Sequence, residues 1–139
     1  MIIVLRGDVM AEFRRGYDFP NEGFVQNTIE SYFKKQGCSI LEEGYADLVC
    51  ICNRSDKWII EAKGETAAVG LDFRTGIGQL IQRMDEKGVI YGIAVPETPQ
   101  FIMQSSLIPQ WVRNALNIHL IFVNAEGKVR IICPSDSKG

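Results

Sequence analysis

Asp47, Glu61 and Lys63 are charged residues set into apolar sequence. They fall in residues 47–52 and 57–63, two apolar runs that read as strands. A strand bound for a core rarely carries charge, because burying an unpaired ion is costly. Two carboxylates and a lysine in this setting suit metal-dependent phosphodiester hydrolysis. Magnesium takes hard oxygen ligands in octahedral geometry and keeps several waters. Asp47 and Glu61 offer two carboxylates, and the backbone carbonyl of Ala62 offers a third oxygen. The metal would acidify a bound water and orient the phosphate. Lys63 can hold the attacking water and offset developing negative charge.

Strand alternation decides whether the three groups can meet. On the second strand Lys57, Ile59, Glu61 and Lys63 share one face, and Trp58, Ile60 and Ala62 the other. Glu61 and Lys63 then project together, about 7 Å apart along the strand. Residues 53–56 (Asn-Arg-Ser-Asp) form a polar turn between the two runs, which predicts a hairpin. An antiparallel hairpin brings the start of one strand beside the end of the other. Asp47 therefore comes opposite residues near Glu61. The competing reading makes Glu61 and Lys63 a surface pair and Asp47 a turn residue.

The remaining elements follow from periodicity. Residues 1–21 hold a short apolar strand and a loop containing Arg14, Arg15 and Pro20. Val25, Ile29, Tyr32 and Phe33 recur at helical spacing, with Asn21 as N-cap and Gly37 at the end, predicting a helix over 22–36. A short strand is expected at 39–43 and a loop of small residues over 64–72. A helix is expected over 75–86, carrying Ile77, Leu80, Ile81 and Met84. The continuous apolar run 89–95 predicts a strand buried on both faces. Residues 99–116 read as a helix that Pro109 breaks or kinks. A second hairpin spans 118–123 and 128–133, and 134–139 form a polar, flexible tail. The order predicts an α/β fold: a single domain over 1–139 with a mixed central sheet flanked by helices.

Composition narrows the function classes. The chain has 139 residues, 46% apolar and 23% charged, with a formal net charge of −2. That charge gives no support to a nonspecific nucleic-acid coat, which would be basic. No apolar run reaches membrane-spanning length, and the first residues do not read as a signal peptide, so the expected location is cytoplasmic. Cys38, Cys50, Cys52 and Cys133 are too few for a disulfide scaffold and are expected to be buried free thiols. A zinc site on Cys50 and Cys52 would need two more ligands. His119, the sole histidine, is expected to pack in the core.

The segment Ala46-Asp47 … Glu61-Ala62-Lys63 resembles the PD-(D/E)XK nuclease motif, with Ala46 where the motif has proline. The superfamily's core is a helix, a three-strand meander, a helix and a further strand, and residues 22–95 match that order. The resemblance implies a restriction endonuclease-like core. It also implies an endonuclease, a hydrolase acting on DNA with Mg2+, for which Mn2+ substitutes. Asp47 and Glu61 would ligate the metal, Lys63 would assist the water and Gln79 would support the site. Gln79 and Arg83, which share a helical face, resemble the family's helix motif, and the resemblance implies that this face would contact phosphate or hold the site water. Many members add a glutamate from the first helix. That position falls near Gln26 here, and Glu22, or less well Glu30, could replace it.

Arg74, on the loop before the Gln79 helix, is the strongest further candidate for phosphate contact, followed by Arg83, Arg14 and Arg15. Tyr17 or Phe19 could stack on a base. So small a domain implies a homodimer, a partner protein, or recognition of DNA structure. The alternative is a catalytically inactive nuclease-fold module that binds nucleic acid or a protein partner.

Overall fold

The computed structural model describes residues 16–136. The expected first strand, Arg14, Arg15 and the last three residues of the expected tail lie outside them. The first described helix, α1 (Glu22–Lys35), buries Val25, Ile29 and Phe33 of the expected stripe, while Tyr32, its fourth member, is only partly buried against the same core. It stops one residue short of the expected end. Gly37 takes φ +88°, and the Gly37 and Cys38 N–H groups donate back to the Lys34 and Phe33 carbonyls. This paired closure satisfies carbonyls that the last turn leaves open.

Six strands follow in one sheet whose spatial order is the chain order. They are β1 (Ser39–Ile40), β2 (Leu48–Cys52), β3 (Asp56–Ala62), β4 (Ile90–Pro96), β5 (Ile118–Val123) and β6 (Val129–Ile132). β1, β2 and β3 pair antiparallel, β3–β4 and β4–β5 parallel, and β5–β6 antiparallel. Parallel neighbours need a crossover. α2 (Val69–Gln82) links β3 to β4, while α3 (Pro99–Ser106) and α4 (Gln110–Leu116) link β4 to β5. Phe73 and Leu80 of α2 and Phe101 of α3 pack on one face of the sheet, with Val49, Ile59, Ile93 and Leu120. α1 covers the other face, against Leu48, Cys50, Ile60, Ala62 and Ala94. β4 sends residues into both cores, as the run at 89–95 implied.

Three expectations are corrected. The strand expected at 39–43 covers only two residues, although the Leu41 N–H still donates to the Val49 carbonyl at 2.8 Å. α2 begins six residues before Thr75 and ends at Gln82. Its small residues hid the helical period, and Asp72 in its first turn reaches back to the Thr66 N–H and hydroxyl, each at 2.8 Å. Cys38 and Cys52 are not free thiols: the β1–β2 register places them opposite, and they form a disulfide with Cα atoms 4.4 Å apart. Cys50 is buried and free, and Cys133 is exposed and free. His119 packs on Trp58 with ring centroids 5.0 Å apart, as expected of a core histidine. Pro109 does divide the 99–116 stretch, into α3 and α4. Among the described residues no helix is long and apolar enough to cross a membrane.

The β2–β3 turn carries two consecutive left-handed residues, Asn53 (φ 50°) and Arg54 (φ 72°). Positive φ suits the right-handed twist of a hairpin. Asparagine tolerates it, but an arginine Cβ is crowded there at a cost of about 1 kcal/mol. Arg54→Gly should therefore stabilise the fold by about 0.5–1 kcal/mol, read as a higher urea midpoint with unchanged slope. A lower midpoint would mean that the arginine side chain holds the turn.

Candidate active site

The hairpin register determines the site. Leu48 pairs with Ile60, so the next position outward sets Asp47 opposite Glu61. β2 ends there, and the Asp47 carboxylate takes up the ladder: its Oδ2 accepts the Ala62 N–H at 2.8 Å. The Lys63 N–H points the other way, to the Ala94 carbonyl at 2.9 Å. Strand backbone alternates, so the Ala62 carbonyl shares its N–H's side and projects towards Asp47. The Asp47 backbone carbonyl in turn accepts from Gln26 Nε2 at 3.2 Å. Gln26, where a metal-binding glutamate was sought, instead positions Asp47.

Glu61 is almost wholly buried, 3% exposed, and takes a hydrogen bond from Arg83 Nε at 3.2 Å. The Arg83 guanidinium also lies 6.0 Å from the Tyr45 ring centroid. Lys63 continues the Glu61 face beyond β3. Its stem packs where α2 offers Gly76, at which a Cβ would lie only 2.7 Å from Lys63 Cγ. Its Nζ stands 3.9 Å from Glu22 Oε1. Glu22 comes close because Gly64 lies against the start of α1, where any side chain would run into the Asn21 and Glu22 backbone. The Glu65 N–H donates to the Pro20 carbonyl at 2.9 Å and holds the same junction. An open cleft of about 410 Å³ is bordered by Glu22, Lys63, Gly64, Thr66, Asp72 and Thr75.

Electrostatics mark the acidic pair. Burial pushes Glu61 up to about 7. The charge on Asp47 and a hydrogen bond with it add to the rise, and Arg83 opposes it. Glu22 is raised as well, first by burial, with Lys63 opposing and Asp47 and Asp72 adding. Such shifts gather where like charges and desolvation are held together.

The residues fit a hard divalent cation. Asp47 and Glu61 are adjacent oxygen donors, and the Ala62 carbonyl faces the same side. Gln79 supplies an independent sign. It lies between Gly76 and Arg83 on the α2 face that touches Lys63 and Glu61, and its Oε1 is buried without a hydrogen-bond partner. A buried acceptor left open needs an account, and a cation or its water would give one. Glu22 is set further back: no trio of carboxylate oxygens among the described residues closes to within 4.8 Å, whereas the sulfurs of Cys38, Cys50 and Cys52 do. Two of those sulfurs are spent on the disulfide.

Of the residues singled out in the sequence, the fold brings together Asp47, Glu61, Ala62, Lys63, Gln79, Arg83 and Glu22. It does not bring Arg74. That residue sits inside α2 rather than on a loop, and it lines an outward apolar groove with Gln104 and Leu107. Glu30 pairs with Lys34 at 3.0 Å on the α1 surface. Gly64, Gly76 and Tyr45 were missed. Gly64 directly follows the Glu61-Ala62-Lys63 tripeptide and so carried a readable signal, while Tyr45 carried none. A scan against protein-family models gives no match, and a search of curated proteins finds no similar sequence.

A pH effect follows. Folded Glu61 keeps its proton up to about pH 7, against an ordinary value of 4.5. The folded state thus binds more protons across that window, so this group's contribution to stability is lost as pH rises through it. Glu61→Gln, uncharged at every pH, should be more stable than the parent at pH 8 by on the order of 2 kcal/mol, with little difference at pH 4.5. Urea unfolding at both pH values checks this, and a parent that gains on the variant at pH 8 contradicts it.

Proposed function

We infer that this chain is a metal-dependent nuclease that hydrolyses phosphodiester bonds in DNA by PD-(D/E)XK-type chemistry, with Mg2+ as cofactor and Mn2+ able to replace it. One observation carries the reading. A hairpin register sets Asp47 opposite Glu61 at the end of β3, with Lys63 next along the same face and the open Gln79 acceptor above them.

The roles follow from position. Asp47, Glu61 and the Ala62 carbonyl would hold the cation. When bound, it supplies an acidified water and positive charge beside the scissile phosphate. Asp47 is held at its carboxylate by the Ala62 N–H and at its backbone carbonyl by Gln26, which fixes where that carboxylate stands beside Glu61. Lys63 donates to the attacking water and offsets charge as the phosphate is attacked. Glu22 steers the Lys63 ammonium from the far side of the cleft. Arg83 lies close enough to meet a phosphate, whereas Arg74 faces elsewhere. Specific DNA interfaces bury about 1,000–2,500 Å² of protein. That favours a homodimer, with one site per strand, or a partner protein.

A second reading, a silent nuclease-fold module, draws on the Arg83–Glu61 ion pair, which gives the buried carboxylate a counter-ion from the chain itself. Calorimetry with Mn2+ separates the two. The nuclease reading expects binding to the parent, its loss in Asp47→Ala, and nicking of supercoiled plasmid or branched duplex. Lys63→Met should keep metal binding and slow nicking by about 10²–10³-fold. Absence of both Mn2+ binding and nicking leaves the silent module standing.

A further inference from the structure

Arg83 makes an incomplete interaction. Its guanidinium carries five N–H donors. Among the described residues only Nε donates, to Glu61 Oε2 at 3.2 Å. This is a single bond rather than the paired fork that makes arginine–carboxylate contacts strong. The guanidinium carbon also lies 6.0 Å from the Tyr45 ring centroid. The partners are unequal in access: the Glu61 side chain is 3% exposed and that of Arg83 is 29% exposed. Arg83 follows the last helical residue of α2, Gln82, so its side chain swings from a helix end rather than from within a turn. Beside it are Glu61 on β3, with Asp47 opposite that residue, Gln79 one turn back, and Tyr45, whose hydroxyl is committed to Glu43 at 2.8 Å.

Resting on the metal-dependent reading above, we propose that Arg83 is an exchangeable counter-ion, held by Glu61 until a divalent cation takes that carboxylate and then released to bind the substrate's phosphate. The Glu61 carboxylate, which takes Arg83 on Oε2, is also the donor beside Asp47 that a cation would use, and a doubly charged ion beside a guanidinium repels it. The guanidinium that leaves loses one hydrogen bond. A phosphate offers it two in parallel, the geometry for which arginine is suited. Cation binding therefore does two things at this site. It fills the acidic pair, and it frees a phosphate-binding group beside that pair. By linkage, the divalent cation and the nucleic acid strengthen each other's binding.

The test compares Mn2+ calorimetry and fluorescence-anisotropy binding of a labelled DNA duplex for Lys63→Met protein, which resists cleavage, alone and combined with Arg83→Met or Arg83→Lys. DNA binding is read in Mn2+ and in chelator. With Arg83 present, Mn2+ should tighten DNA binding by about tenfold. With Arg83→Met the gain should fall below about twofold, while Mn2+ alone should bind about three- to tenfold more tightly because its competitor is gone. Arg83→Lys, a point charge without the fork, should restore the competition with Mn2+ but only part of the gain in DNA binding. If Arg83→Met binds Mn2+ no more tightly and keeps the full gain, exchange is refuted and the metal site stands. If no protein binds Mn2+, the metal-dependent reading falls and the exchange falls with it.

Discussion

A strand pair has a period of two, so a shift of one residue between β2 and β3 would exchange every side chain between the α1 core and the α2 core. The site exists because that shift is prevented. Val49 and Ile59 belong to one core, and Leu48, Cys50 and Ile60 to the other. The left-handed pair Asn53 and Arg54 sets the turn at one end. The disulfide between Cys38 and Cys52 ties the same end of β2 to β1. With the hairpin fixed, Asp47 has one possible partner position, opposite Glu61. The parallel pairing of β3 with β4 then carries Glu61 and Lys63 beneath α2, whose Gly76 leaves room for the lysine stem.

Among the described residues the other buried side-chain polar atoms have hydrogen-bond partners, and around Glu61 the contacts are left incomplete. A carboxylate is buried beside another carboxylate, its arginine partner gives one hydrogen bond, and Gln79 Oε1 is the one buried side-chain acceptor among the described residues without a partner. Each departure costs stability in isolation. Their concentration at one strand end is the pattern expected where folding rules give way to function.

Legibility in the sequence tracked the range of the forces involved. The stripe Val25, Ile29 and Phe33, the break at Pro109 and the alternation of Trp58, Glu61 and Lys63 are local patterns, and all three hold in the structure. Asp47 could be brought to Glu61 because a hairpin is also local. The start of α2 was misplaced because Ala67, Ala68 and Gly70 carry no period and the closing contact runs from Asp72 back to Thr66. That error put Arg74 on a loop beside the site. The pairing of Cys38 with Cys52, the hold of Gln26 on the Asp47 backbone and the seat of Arg83 between Glu61 and Tyr45 all depend on how separate elements dock. No pattern along the chain records that.

The shortness of β1 has a directional consequence. Past Leu41 the outer edge of β2 has no partner strand among the described residues, and the hollow beside it is bordered by Glu30, Glu42, Glu43 and Asp47. Charged side chains on an open sheet edge discourage pairing with another chain. Here they also give the acidic pair two unlike approaches. One runs along Glu42, Glu43 and Glu30, of which Glu43 pairs with Lys57 at 3.4 Å and Glu30 with Lys34. The other passes Lys63, through the cleft below the start of α2, where Glu22, Glu65 and Asp72 also stand. Acids thus border both approaches, and the second is set apart by Lys63, which lines it.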